Sequence, residues 1–359
     1  MPIHPRPTTP PPSANWREAD WPAVSVSVIT YNQRDLLPRA LDSILAQRTN
    51  FRFEIIIGDD GSTDGTQDVI RDYHRRYPDI IVPILHPRNN PDAVAGRTNN
   101  LTNLAACRGR YTAMLDGDDY WSCPDKLQFQ YDILEKYPEV NLSVHDTEVL
   151  MMTPDGREDR WTLRWGSPRQ RAAPGILEGW ELFERYEVWF HVSSVFFRTR
   201  VFEYFPEALW QVISADNFII MLAARNSRIH YDATIRSVYL KHGRNFTNTD
   251  GYQDVMFNRA GLRNIQIFQD YFPELRRSKV YQERYRIMRL QIGRRLLVRH
   301  KAPLAAVRQM SAGFFWLLFH RPQRLADLFF SFLKHRKPLT VFPAKPSRPA
   351  QIAPQYPDS

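Results

Sequence analysis

Apolar and polar positions follow two rhythms along the first 150 residues. Val24, Val26 and Val28 alternate with Ser25 and Ser27, a period of two that predicts a strand. Leu37, Leu41, Ile44 and Leu45 then recur at helical spacing. The run Glu54-Ile-Ile-Ile-Gly58 is short and β-branched, as a strand buried on both faces is. Val69, Ile70, Tyr73 and Tyr77 give a second helix its apolar face, with Thr63 as the candidate N-cap. A strand over 80–85, a helix near 100–107 and a strand over 111–115 complete a βαβαβαβ order. Pro124 opens a helix with Leu127, Tyr131 and Leu134 on one face, and 140–144 reads as another strand. From about Leu275 the pattern is helical only. One stripe is Tyr281, Tyr285, Met288, Ile292 and Leu296; another is Leu325, Leu328, Phe329, Phe332 and Leu333. The fold class is α/β: a mostly parallel Rossmann-like sheet flanked by helices, with a C-terminal helical extension.

Composition adds boundaries. A chain of 359 residues with 43% hydrophobic and 24% charged residues has ample core, which excludes a mainly disordered or collagen-like protein. Seven prolines among the first 22 residues and six among the last 22 mark both ends as tails without a fold. The expected organisation is a Pro-rich tail (1–22), an α/β domain (23–272, with halves 23–145 and 146–272), a basic helical extension (273–337) and a second tail (338–359). The charge-free stretch at 309–320 has 12 residues against the roughly 20 of a membrane span, and the N-terminus lacks a signal-like apolar core. Cytoplasmic residence is expected. Cys107 and Cys123 have neither disulfide-framework nor zinc spacing and read as reduced structural thiols. The net charge of +9 is localised: residues 276–301 carry ten Lys/Arg against Glu283, while 1–275 is mildly acidic. That distribution suits an anionic partner beside an enzyme domain and argues against a nucleic-acid protein.

Three polar clusters fall at predicted strand ends, where open parallel sheets bind ligands. They are Thr30-Tyr31-Asn32, Asp59-Asp60-Gly61-Ser62-Thr63-Asp64 and Asp116-Gly117-Asp118-Asp119. A single Asp-Gly run is ordinarily a turn. Carboxylates repeated at such ends repel a diphosphate unless a cation lies between, so the pattern points to a metal-bridged nucleotide. Asp116 and Asp118 offer hard oxygens to Mg²⁺ or Mn²⁺, and Asp60 can accept the imide hydrogen of uracil or a ribose hydroxyl.

Taken in order, Val24-Ser-Val-Ser-Val-Ile-Thr-Tyr-Asn32, Glu54-Ile-Ile-Ile-Gly-Asp-Asp-Gly-Ser-Thr-Asp-Gly-Thr66 and Gly109-Arg-Tyr-Thr-Ala-Met-Leu-Asp-Gly-Asp-Asp-Tyr-Trp121 resemble the family-2 glycosyltransferases, which have the A-type nucleotide-diphospho-sugar transferase fold. The resemblance covers 23–145 strongly, weakens to about 250 and is absent from the C-terminal helices. It implies that Thr30 and Tyr31 line the base site, that Asp60 binds uracil, and that Asp116 and Asp118 form the DxD motif with Asp118 as metal ligand. Asp59 would bond nearby backbone or ribose, Asp119 would cap the helix after Trp121, and Arg97 is a candidate for the diphosphate.

In the second half, inverting transfer needs a carboxylate base for the acceptor hydroxyl. Glu203, Glu207 and Asp216 are candidates, and only Asp216 opens an apolar helical run, Phe218–Leu222. The resemblance places Ala215-Asp216 at the family's acidic base motif, with Ala where Glu is usual. His191-Val-Ser-Ser-Val-Phe-Phe-Arg198 resembles the segment before that base. Val238-Tyr-Leu-Lys-His-Gly-Arg-Asn245 resembles a Tyr-x-x-His segment near the metal, which makes His242 a candidate ligand and Lys241 or Arg244 phosphate neighbours. His145-Asp146 is expected to face the acceptor.

The implied activity is metal-dependent inverting transfer of a sugar from a nucleoside-diphosphate donor, a UDP-sugar by the Asp60 argument, to a hydroxyl acceptor in cell-surface polysaccharide or glycolipid synthesis. A nucleotide-sugar donor, a glycan or lipid-linked acceptor and an anionic membrane surface are the expected partners, with the enzyme peripheral on the inner face of the cell membrane. A sugar nucleotidyltransferase would show a Gly-rich basic loop after the first strand, where this chain has Thr30-Tyr-Asn-Gln-Arg34. A non-catalytic scaffold of the same fold would have no need of acidic residues at every expected place.

Overall fold

The computed structural model describes residues 3–5, 21–87, 96–152, 157–164, 166–167, 170–184, 190–202, 204–213, 215–242, 245, 259–298, 303–320 and 322–323. The chain begins with strands β1 (Ile3–Pro5), β2 (Val24–Thr30), β3 (Phe53–Asp59), β4 (Ile81–Leu85), β5 (Tyr111–Asp116) and β6 (Tyr120–Trp121), and helices α1 (Leu37–Leu45), α2 (Thr66–Arg76) and α3 (Arg97–Ala106) lie between successive strands from β2 to β5. Helix α4 (Lys126–Lys136) precedes β7 (Val140–Met152), β8 (Glu158–Leu163), β9 (Gly166–Ser167), β10 (Gln170–Arg171) and β11 (Gly175–Glu178). After α5 (Glu181–Glu184) come β12 (Phe196–Arg198), β13 (Tyr204–Pro206), α6 (Ala215–Ala224) and β14 (Arg228–Lys241), then α7 (Arg259–Tyr271), α8 (Lys279–Val298) and α9 (Pro303–His320).

The main sheet runs β11-β14-β7-β12-β5-β2-β3-β4, with β6 pairing β14 and β8 pairing β7. β5, β2, β3 and β4 are mutually parallel, as the βαβ alternation predicts. β12 wedges antiparallel between β5 and β7, and β14 runs parallel to β7. The mixed α/β sheet and the helices after it agree with the expected class.

Val24, Val26 and Val28 pack with Ile55, Ile57, Leu37, Leu41 and Ile70 in one core layer. Leu101, Leu104, Met114 and the apolar residues of α6 form the layer on the other side. The serines that alternate with the valines are buried as well, so both faces of β2 are covered. At Ser25 the reason is a polar knot: Ser25 Oγ donates to Glu54 Oε1 at 2.6 Å and accepts from the Gly109 amide at 2.8 Å, while Arg108 Nε bonds Glu54 Oε2 at 2.9 Å; Ser27 Oγ has no hydrogen-bond partner among the described residues. An apolar–polar alternation reads the same whether the polar side meets water or the protein interior.

Two further differences are local. Ile3–Pro5, within the leader expected to lack structure, pairs antiparallel with Tyr204–Pro206; the rest of that leader before Trp21, and the whole C-terminal tail, lie outside the described residues. The first turn of α2 is served by Asp64, whose Oδ1 accepts from Thr66 N at 3.0 Å, rather than by Thr63. Both cysteines are free, Cys107 buried and Cys123 partly so. By its contacts the chain divides into one unit of residues 1–256 with 263–281 and another of 257–262 with 282–359.

Candidate active site

Sheet register brings the predicted clusters together. Thr30 is level with Asp59 across β2 and β3, and Ile29 is level with Asp116 across β2 and β5, so three loops leave one edge side by side. The first two loops are cross-linked by side chains. Asn32, in the left-handed region at φ 52°, accepts from Thr63 N at 2.9 Å through Oδ1, and its own amide donates to Ser62 Oγ at 2.8 Å. Gln33 N donates to Thr66 Oγ1 and Arg34 N to Asp64 Oδ2. Much of the Asp-Asp-Gly-Ser-Thr-Asp run is therefore devoted to holding the edge in shape.

Asp59 belongs to that frame. Its Oδ1 accepts from the Gly61 and Ser62 amides and from Gln67 Nε2 at 2.7 Å, and its Oδ2 from Ser62 Oγ. Of the two alternatives raised for it, the structure displays the backbone bond. Asp60 is buried beside it, its amide donating to Thr30 O at 3.1 Å. Tyr31 is exposed, and Thr30 donates to Gln33 Oε1 at 2.7 Å.

The third loop presses against the first. A Cβ on Gly117 would lie 2.6 Å from Gln33 Oε1 and 2.9 Å from Thr30 Cβ, so a larger residue between the two DxD aspartates would require these side chains to shift. Asp116 is held well above the ordinary carboxylate range, first by burial and then by the negative charges of Asp118 and Asp216. Asp119 is pushed the same way by burial and by Asp118 and Asp116. It does not cap α4. Its Oδ1 accepts from Leu240 N on β14 at 2.9 Å, and its Oδ2 is buried with no hydrogen-bond partner among the described residues, 3.4 Å from His191 Nδ1.

Asp116, Asp119 and His191 each offer a ligand atom, and those atoms lie within 4.8 Å of one another. His191 is stacked on Tyr239 with ring centroids 4.3 Å apart, and burial lowers its imidazole to about 4 against the pull of Asp118, so it is a neutral nitrogen donor. Asp118 Oδ2 meets His242 Nε2 at 3.0 Å and Asn245 Nδ2 at 3.0 Å. Buried carboxyls that repel one another, an orphan carboxylate oxygen and a neutral imidazole form a donor set that a hard divalent cation would satisfy.

Asp216 stands in the first turn of α6, half-buried, and its charge acts on Asp116. The base candidate and the DxD turn, 100 residues apart in sequence, thus lie close enough for their charges to interact. Arg97 does not reach for the edge: its Nη1 donates to Val212 O at 2.8 Å, tying α3 to the segment that leads into α6. Glu207 accepts from Gln211 Nε2 within its own turn, and Glu203 and Arg244 lie outside the described residues. His145 and Asp146 do not face a cleft. Both are buried in the sheet, with His145 Nδ1 on Asp146 O at 2.8 Å and Tyr231 donating its hydroxyl to Asp146 Oδ1 at 2.6 Å.

Sequence reasoning missed His191 as a member of the acidic group, Asn245 beside Asp118 and the true partner of Asp119. The one available signal was the spacing of His242 and Asn245, three residues apart, which lets both reach one carboxylate.

Residues 25–183 match the sequence family described as Glycosyl transferase family 2. This region is a family-2 glycosyltransferase region. An uncharacterized protein of Mycobacterium tuberculosis is 40% identical over 136 residues, 38% of this chain and 38% of that protein. The chain thus spans under two fifths of the length of the first curated relatives it matches. The Escherichia coli enzyme UDP-Glc:alpha-D-GlcNAc-diphosphoundecaprenol beta-1,3-glucosyltransferase WfaP is 39% identical over 98 residues, 27% of this chain and 36% of that one. Among solved structures, a mannosyltransferase from Pyrobaculum calidifontis in complex with GDP-Man and Mn²⁺ is 18% identical with a TM-score of 0.49, covering 91% of this chain and 84% of that chain. The family-2 match contains the DxD turn and His145, and stops before His191, Asp216 and His242.

Proposed function

We propose that this chain is a metal-dependent inverting glycosyltransferase that moves a sugar from a UDP-sugar to a hydroxyl acceptor in cell-surface polysaccharide or glycolipid synthesis. The observation that carries the reading is the convergence at the sheet edge: Asp116, Asp119 and His191 offer ligand atoms within 4.8 Å of one another, and the Asp116 carboxyl, raised first by burial, is raised further by the charges of Asp118 from the same turn and Asp216 from the other half. Two neighbouring carboxylates facing a third suit a site that gathers positive charge on one side and takes up a proton on the other.

In this reading Thr30, Tyr31 and Asp60 meet the nucleoside, Asp60 accepting the imide hydrogen of uracil. Asp116, Asp118, Asp119, His191 and His242 would hold the cation, Mg²⁺ or Mn²⁺, which when bound offsets negative charge on the departing diphosphate. Asp216 accepts the proton of the acceptor hydroxyl as that oxygen bonds to the anomeric carbon. The bond from that carbon to the diphosphate oxygen breaks on the opposite face, so the configuration inverts and the nucleoside diphosphate leaves with the electron pair. Arg97, through Val212, positions the segment before Asp216, a different task from the diphosphate contact first expected of it. The printed name of the Escherichia coli relative supports a uridine donor and a lipid-linked acceptor.

The test is nucleoside-diphosphate release from a panel of nucleotide sugars with Mn²⁺ or Mg²⁺, in the presence of diphosphate-lipid and free-glycan acceptors. Release from one UDP-sugar, abolished by chelation, is expected. A folded protein that releases no nucleoside diphosphate from any donor, or does so equally well in chelator, overturns it.

A further inference from the structure

Helix α9 has two unlike faces. On one, a Cβ at Gly313 would lie 2.6 Å from the Arg286 carbonyl oxygen and 2.9 Å from Leu290 Cγ, so α9 and α8 meet at backbone distance there. Leu317 is buried in a cluster with Ile287 and Leu290, and Met310 packs against it. On the other face Leu304, Phe314, Phe315, Leu318 and Phe319 are exposed, Phe315 at 58% and Phe319 at 78%. With 3.6 residues per turn these five fall within an arc of about 140°. Large apolar side chains clustered on one exposed face mark an interaction site rather than ordinary surface.

Charge selects the occupant. Residues 282–359 carry 15 Lys/Arg against 3 Asp/Glu, a net of +12, while residues 1–281 carry 33 against 36, a net of −3. Helix α9 contains no acidic residue. A second copy of the chain would bring the same cationic segment against this one, which disfavours self-association through this face. A nucleic acid would satisfy the charge and leave the phenylalanines in water. An anionic lipid surface satisfies both, with aromatic and aliphatic side chains at the headgroup boundary and basic side chains at the phosphates. No helix among the described residues is long and apolar enough to cross a membrane, so the contact is made from one side.

We propose that the exposed face of α9, within this basic segment, docks the protein on the anionic headgroup surface of a bilayer. The inference deepens the proposed function by giving a lipid-linked acceptor a reason to be near, and it is measured without turnover, so either idea can fail while the other stands.

The experiment is co-sedimentation of the full chain with phosphatidylcholine vesicles that contain or lack phosphatidylglycerol, at low and high salt. A Phe315→Glu/Phe319→Glu variant is run beside it, with its fold checked by circular dichroism. Both sites are exposed, so the double variant is expected to fold. The wild type should pellet with the anionic vesicles and lose that binding at high salt, and the variant should partition at least about tenfold less. The proposal is overturned if the wild type fails to pellet, if the folded variant pellets equally, or if light scattering shows a wild-type dimer that the variant dissolves while vesicles bind neither. Should the variant misfold, Phe315→Ser/Phe319→Ser is used with the same criteria.

Discussion

Replacing Asp119 by asparagine should act in opposite directions on the metal-free and metal-loaded protein. The carboxylate is buried, its Oδ2 has no hydrogen-bond partner among the described residues, and burial together with Asp118 and Asp116 holds its pKa well above the ordinary 3.8. Asparagine keeps an oxygen for Leu240 N, which Oδ1 now accepts at 2.9 Å, and removes the unfavourable charge. In chelator, Asp119→Asn should therefore be at least as stable as wild type. A carboxyl whose folded pKa is raised contributes stability that is fully present below 3.8 and lost as pH rises through the folded value, so the advantage of Asn should grow from acid toward neutral pH. Asp119→Ala should instead lose about 1–3 kcal/mol, because it strands the Leu240 amide.

With divalent cation the order reverses. A ligand at about a hundredfold excess over its Kd stabilises by about 2.7 kcal/mol, which at roughly 2 °C per kcal/mol for a unit of this size raises Tm by about 5 °C. Wild type should show that shift with Mn²⁺ and Asp119→Asn should lose most of it. Thermal melts of the three proteins in chelator and in Mn²⁺, at about pH 5 and about pH 8, give every quantity needed. A wild-type Mn²⁺ shift in Asp119→Asn, or equal destabilisation of the Asn and Ala variants in chelator, would refute the reasoning.

Four further outcomes are expected. Asp118→Asn should fold normally and lose turnover by about 100-fold or more, since a neutral amide is a poor partner for a hard cation; near-wild-type rates with unchanged metal dependence would count against it. Asp216→Asn should bind UDP in calorimetry as wild type does while failing to transfer, a split that a role in donor binding would not produce. Arg108→Ala should cost about 3–5 kcal/mol in urea melts, because it leaves Glu54 buried without its charge partner. Lys126→Met should raise Tm: the ammonium is fully buried over the Trp121 ring without a hydrogen-bond partner among the described residues, and burial pushes its pKa well below the usual value.

What the sequence determined by itself was the parallel half of the sheet and the edge where chemistry gathers. Period-two and period-3.6 patterns are local, and βαβ connectivity leaves few arrangements for them, so β2 to β5 and the loops after Thr30, Asp59 and Leu115 were legible. The helical onset of α6 at Ala215-Asp216 was legible for the same reason. Strands β12 and β14 were not, because β12 is three residues long and β14 carries exposed and buried positions set by partners distant in sequence. Side-chain direction was the other quantity out of reach. Three aspartates in four residues look alike on paper, yet Asp116 and Asp119 turn toward His191 while Asp118 turns toward His242 and Asn245. Asp59 became part of the frame and Arg97 a tie to Val212 because backbone amides and carbonyls stood where only the folded chain could put them. Residue type and spacing name the chemistry available at a site; which atom performs it depends on the unpaired donors and acceptors that the remaining chain brings within about 3 Å.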